Sequence, residues 1–196
     1  MTEKILILIM PLIFLGTFIL RNRIVQARVG SAIRSLDRLV TTSIILSTTC
    51  ILATILSVFF EPFYHLTGVI SLFKSSVLSY LGLVLFGVSI ILGAIFSAQL
   101  KDSWRVGVHQ DQKTTLIKNG VYAHIRNPYF LSVFIMFFSL LCIRPSLLLL
   151  VLILAALAVF HKMVLKEERY LLGVHGGEYE EYKNNTGRYL PPCIAG

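Results

Sequence analysis

Leu39 to Phe60 runs without one charged side chain, and three other stretches come close to matching it: Ile5 to Leu20, Val77 to Gln99 and Ser146 to Leu165. A hydrocarbon core about 30 Å thick is crossed by a helix of roughly 20 apolar residues, so each run has the length of a membrane span or nearly so. A fifth apolar run, Tyr129 to Ile143, is shorter. It is followed at once by Arg144, Pro145 and Ser146 and then by the last long run, a pattern that predicts a tight helical hairpin whose first arm is tilted or reaches partway. With 56% hydrophobic and 14% charged residues and a mean hydropathy of +0.78, the chain lies outside the range of soluble domains. The expected fold is an all-α integral membrane protein with about five spans.

Charge sets the expected orientation. Of the 18 Lys and Arg residues, only Lys4, Lys74 and Arg144 fall on the side shared by the N-terminus, the second loop and the fourth loop. The others lie in the first loop, the third loop and the C-terminal segment, which the positive-inside rule assigns to the cytoplasm. The N-terminus is then extracytoplasmic. The formal charge of +8 thus reflects topology and an anionic leaflet, not nucleic acid. The first run lacks a small-residue cleavage site and ends in Arg21 and Arg23, so it is read as a retained helix. Cys50, Cys142 and Cys193 have no pairing or metal-ligand spacing, and no metal is expected. The terminal CIAG is a poor prenylation box because Gly is an unusual last residue.

No repeat or low-complexity linker divides the chain, so one membrane-embedded domain over residues 1–196 is expected: an N-terminal three-helix part to residue 100, then a polar-rich C-terminal part. Ser89, Gly93 and Ser97 recur every four residues and predict a close helix contact. Thr41, Thr42, Ser43, Ser47, Thr48 and Thr49 suit either interhelical hydrogen bonds or the wall of a polar cavity. The segment from Glu61 to Ser76 is expected at the outer interface, and spans packed by small residues permit a monomer or a dimer.

Two segments carry chemistry, Lys101 to Arg126 and Lys162 to Gly196, both expected on the same side. In IRNPYF, Asn127 is a favoured N-cap and Pro128 a favoured first helical residue, so a helix starts there. Its N-terminus offers free N–H groups to an anion, and Arg126 beside it can fork onto a carboxylate or phosphate. KEERYLLG prolongs the last span into the cytoplasm with the adjacent acids Glu167 and Glu168. In GGEYEEYKNNTGRYLPP the glycines follow no strand and lack the G-x-G-x-x-G spacing, which argues against a soluble-type dinucleotide fold.

The order of these strings resembles the C-terminal half of the isoprenylcysteine carboxyl methyltransferase family and its phospholipid-methyltransferase relatives, over roughly Ser103 to Pro191. The carriers are R-[HN]-P-x-[YF] at Arg126, Asn127, Pro128 and Phe130, the paired acids Glu167 and Glu168, and G-x-E-Y-x-x-Y within Gly176 to Tyr182. The resemblance implies a methyltransferase using S-adenosylmethionine, with S-adenosylhomocysteine as product. It implies a cofactor site on Thr114, Thr115, Leu116, Ile117, Tyr122, Asn127, Pro128, Tyr129, Phe130 and Glu167, with Gln110 or Lys113 near another contact. It further implies a lipid-like or prenylated acceptor, a prenylcysteine carboxylate first, with Arg126, Glu167 and Glu168 as catalytic residues. The family's substrate-contacting arginine appears here as Met163, with Lys162 beside it as a point charge. An amine acceptor such as phosphatidylethanolamine would need a base, for which His124 or Glu168 is nearest. A sterol-type reductase using NADPH and a non-catalytic scaffold are the rival readings.

Overall fold

The computed structural model describes residues 2–30, 37–104 and 115–192. Seven α-helices are present among them: α1 (Thr2–Val29), α2 (Arg38–Phe59), the short α3 (Glu61–Leu66), α4 (Ser76–Gln99), α5 (Pro128–Ile143), α6 (Leu147–His175) and α7 (Gly177–Asn185). The only β-type pairings among these residues are two isolated bridges. The chain is an all-α membrane protein: α1, α2, α4 and α6 are each long and apolar enough to cross a bilayer. The fifth expected span, α5, is 16 residues long. At about 1.5 Å per residue it covers roughly 24 Å, short of the hydrocarbon core.

Local chemistry explains where the helices start. Asp37, Ser75 and Ser146 sit in extended conformation and each accepts a backbone N–H of the following turn, from Leu39, Leu78 and Leu149 respectively. Asn127 stands at the same position of α5, but its side chain makes no cap bond. The expected start is thus borne out in position, with Pro128 the first helical residue, while the Asn127 side chain turns to the tail side of the site and its amide N–H donates to Glu168 Oε1 at 3.3 Å.

Small residues fix the central packing. A Cβ on Gly82 of α4 would lie 2.7 Å from Ile143 Cγ1 and 2.8 Å from the Ser139 carbonyl of α5, and one on Gly93 would lie 3.1 Å from Ser132 Oγ. Gly93 with the buried Ser89 and Ser97 forms the expected stripe, to which Gly82 is an addition, and α4 and α5 pack along their length. Buried Met136, Phe137 and Leu140 of α5 anchor the core. Among the described residues the α2 hydroxyls make no bond between helices: Ser43, Ser47, Thr49, Thr54 and Ser57 each donate to a carbonyl three or four residues earlier in α2.

The two ends of the bundle differ. At one, the α5–α6 hairpin is tied to the α3 segment by Leu147 N–H to Gly68 O (2.8 Å) and Ile70 N–H to Pro145 O (3.1 Å). Buried Tyr64 donates to Pro145 O there, with the Arg144 guanidinium 5.0 Å from its ring centroid. At the other end meet the end of α1, the start of α2, the end of α4, the start of α5 and α7. There α6 runs on past its apolar stretch, which closes at Leu165. The spanning part therefore ends near that residue, and the polar turns from Lys166 to His175 project beyond it.

Candidate active site

Backbone pairing brings the loop and the tail together. Arg126 N–H donates to Gly187 O (2.9 Å), Asn127 N–H to Arg188 O (3.1 Å) and Gly187 N–H to His124 O (3.1 Å). Within the tail the chain folds back so tightly that a Cβ on Gly187 would lie 1.6 Å from the Leu190 carbonyl. Side chains lock the same joint. Arg188 grips Glu168 with Nε and Nη2 (3.1 and 2.9 Å), and Arg126 Nε adds a third bond at 3.2 Å. Arg126 Nη1 also donates to the carbonyls of Lys183, at 2.7 Å, and Thr186. Burial pushes the Glu168 carboxyl up, but the bonds and charges of Arg188 and Arg126 outweigh it and hold the group below the usual carboxylate range.

Above this joint lies a cavity of roughly 950 Å³, at the upper end for ligand sites. It touches α1 from Leu8 to Gln26 and α2 from Leu39 to Ile55, lengths of about 27 Å and 24 Å along the two axes. Its polar end carries Asn22, Arg23, Asp37, Lys166 and Glu167. Toward the other end it becomes apolar and opens sideways: Leu12 and Leu52 line it yet are 67% and 52% exposed. The passage thus joins the polar site to the lipid-facing surface between α1 and α2. Ser43, Ser47 and Thr48 line it too, so the cavity alternative holds for these three of the six α2 hydroxyl residues and not for Thr41, Thr42 and Thr49.

Several expected site residues meet in this cavity: Thr115, Leu116, Ile117, Tyr122, Asn127, Tyr129, Phe130, Glu167, Arg126 and Met163 all border it. Others do not. Pro128 is buried away from the wall, Lys162 is exposed and off it, and Glu168 is enclosed by its two arginines. His124 is exposed and outside the cavity as well. Gln110, Lys113 and Thr114 lie outside the described residues.

The wall suits a nucleotide-like molecule with a cationic end. Tyr129 stands edge-on to Trp104 with centroids 4.6 Å apart, and Phe130 to Phe160 at 6.0 Å, giving an aromatic slot. Trp104 is itself held by its Nε1–H to Asn22 Oδ1 (2.8 Å). Glu167 receives no hydrogen bond or ion pair from the described residues; burial, with the Glu168 charge beside it, raises its pKa to about 7. Tyr179 is 1% exposed on the same wall, and its hydroxyl has no partner among the described residues. An unpaired acceptor and an orphaned donor on one cavity wall are what a polar ligand would satisfy.

Tyr179, Tyr182 and Arg188 were not assigned roles from the sequence. Tyr182 donates to the Tyr122 carbonyl at 2.7 Å and so clamps the loop. The i, i+3 spacing of the tyrosines on α7 was the available signal for that pair; Arg188, twenty residues from Glu168 with a turn and a helix between them, offered none.

An α-helical membrane protein with a half-polar, half-apolar cavity opening to lipid is the class these features define. Residues 80–173, just under half of the chain, match the model of the Isoprenylcysteine carboxyl methyltransferase (ICMT) family. Over that segment the chain is similar to a methyltransferase family, and its long apolar helices make it a membrane protein. No curated protein matches it. The matched segment holds α5, the Arg126 loop and both acids, and ends before α7 and Arg188.

Proposed function

We propose that the chain transfers the methyl group of S-adenosylmethionine to the carboxylate of a C-terminal prenylcysteine or a similar lipid-like acceptor, at the cytosolic face of the membrane. The observation that carries this reading is the single cavity with a polar, unsatisfied end and an apolar side opening to the bilayer. A water-soluble donor and a lipid-tailed acceptor need just such a shared chamber.

The bound donor supplies a methyl on a sulfonium; in transfer the S–C bond breaks as an O–C bond forms, leaving a neutral thioether and a neutral ester. The residues of the chain position and screen. Leu116, Ile117, Tyr122 and Phe130 form the slot for the adenine. Glu167 accepts from the ribose diol or the ammonium, and Tyr179 donates to a neighbouring oxygen. The N–H groups of Arg126 and Asn127 are committed to the tail and Pro128 has none, which leaves those of Tyr129 and Phe130 for the amino-acid carboxylate. Arg126 and Glu168 act on the site as positioning residues, by holding α7 over it. Catalysis by such a wall is orientation and exclusion of water.

A carboxylate acceptor is ionised near neutral pH and needs no base. An amine acceptor would need one; neither His124 nor Glu168 borders the cavity, and Glu167, which does, is engaged by the donor in this reading, which favours the carboxylate. The charge asymmetry of the loops supports a cytosolic site and an extracytoplasmic N-terminus. Calorimetry with purified protein tests the donor: S-adenosylhomocysteine should bind and NADPH should not. Binding of NADPH alone would overturn the reading.

A further inference from the structure

Two ion pairs of opposite character stand at the polar end of the molecule. Glu168 with Arg126 and Arg188 is enclosed, the Glu168 and Arg126 side chains being 8% and 9% exposed. Lys166 with Asp37 is open, its side chains 43% and 22% exposed, and both residues border the cavity. Each component of the open pair is lightly held. Lys166 Nζ has no other hydrogen-bond partner among the described residues. Asp37 uses Oδ2 for Lys166 and Oδ1 for the Leu39 N–H at 3.2 Å, so it keeps a partner and still caps α2 if the lysine leaves.

The surroundings favour exchange. Lys166 shares the cavity-facing side of α6 with Phe160, Met163 and Glu167, and Arg23 faces the same space from α1 without an ion pair among the described residues. Arg126 is spent on Glu168 and the tail carbonyls. Once Glu167 is engaged by the donor, the free balance of this wall is positive: Arg23 and Lys166 against Asp37. An ion pair this exposed contributes little to folding, so replacing one carboxylate by another costs little.

We propose that Lys166 and Asp37 form an exchangeable pair: Lys166 leaves Asp37 to hold the carboxylate of the acceptor, and returns to Asp37 once methylation has removed that charge. This rests on the carboxyl-methylation reading above and adds to it a residue that tells acid from ester. Esterification deletes the partner of the lysine while Asp37 still waits a side chain away, so the product is held less well than the substrate. The pair works as a release device.

The test is calorimetry of the full-length protein in detergent, saturated with S-adenosylhomocysteine, titrated with N-acetyl-S-farnesylcysteine and with its methyl ester. Wild type should bind the acid at least about tenfold more tightly than the ester. Lys166→Met should bring the two affinities within about twofold, Lys166→Arg should restore most of the preference, and Asp37→Asn should keep or enlarge it, because the competing carboxylate is gone. Binding of S-adenosylhomocysteine should be unchanged in all three. A pair that merely ties α2 to α6 predicts the reverse pattern: Lys166→Met and Asp37→Asn equally lowered in melting temperature and the acid preference intact in both. That result, or a wild type with no preference, would overturn the proposal. Should the preference behave as described while no methyl reaches the acid, the reaction proposed above fails and the exchange stands.

Discussion

At the scale of single residues, the adjacent acids Glu167 and Glu168 have opposite fates because one has partners and the other has a cavity. Glu168 lies below the usual carboxylate range, so its contribution to stability is present above about pH 4.5 and is lost as pH falls through its lowered folded value. Glu168→Gln leaves two arginines facing a neutral group; with Arg188 one-third exposed and partly screened by water, a loss of about 3 kcal/mol in unfolding free energy is expected. Glu167 is the reverse case. Its pKa is raised to about 7, so ionising it costs stability progressively as pH rises from the unfolded value near 4.5. Glu167→Gln should therefore raise the melting temperature at pH 8 while weakening S-adenosylhomocysteine at least tenfold, the scale of a hydrogen bond to a charged group. In wild type that affinity should fall as pH drops through about 7, and in Glu167→Gln the titration should be flat. Unchanged affinity in the variant would remove Glu167 from the donor site.

At the scale of elements, α7 and the tail after it are attached by a few specific contacts more than by area. Gly187 allows the tail to fold back on its own Leu190 carbonyl at a distance no Cβ tolerates. Gly187→Ala should free the tail, exposing the Arg126–Glu168 joint to proteolysis and abolishing donor binding, yet leave the helical circular dichroism nearly intact. Limited proteolysis with mass spectrometry checks both. Much at this scale was legible in the sequence: apolar length located α1, α2, α4 and α6, and Arg-Pro-Ser marked the α5–α6 turn. The start of α5 at Asn127 and Pro128 was legible too, but not that the Asn127 amide donates to Glu168, because capping preference is a local rule and Glu168 lies forty-one residues away. Arg188 was illegible for the same reason, since its partner is fixed only when α6, the loop and the tail have met.

At the scale of the whole molecule, the bundle leaves α1 and α2 apart over the cavity, while α4 holds α5 closely. Hydrophobicity could not foretell this, because Leu12 and Leu52 look the same whether they face lipid, a neighbouring helix or a passage. The hydroxyls of α2 were the one hint, and they fit two readings until the helices were in place. The passage is the route of the acceptor alone in the proposed reaction. Ser47→Trp, which fills it midway, should raise the apparent KM for a farnesylated acceptor tenfold or more with binding of S-adenosylhomocysteine unaltered. Methyl transfer itself is the direct test of the proposed reaction. Purified protein is incubated with labelled S-adenosylmethionine and either N-acetyl-S-farnesylcysteine or phosphatidylethanolamine vesicles. Base-labile labelled ester is expected from the first and no labelled lipid from the second; labelled lipid amine without labelled prenylcysteine ester would contradict the proposed reaction.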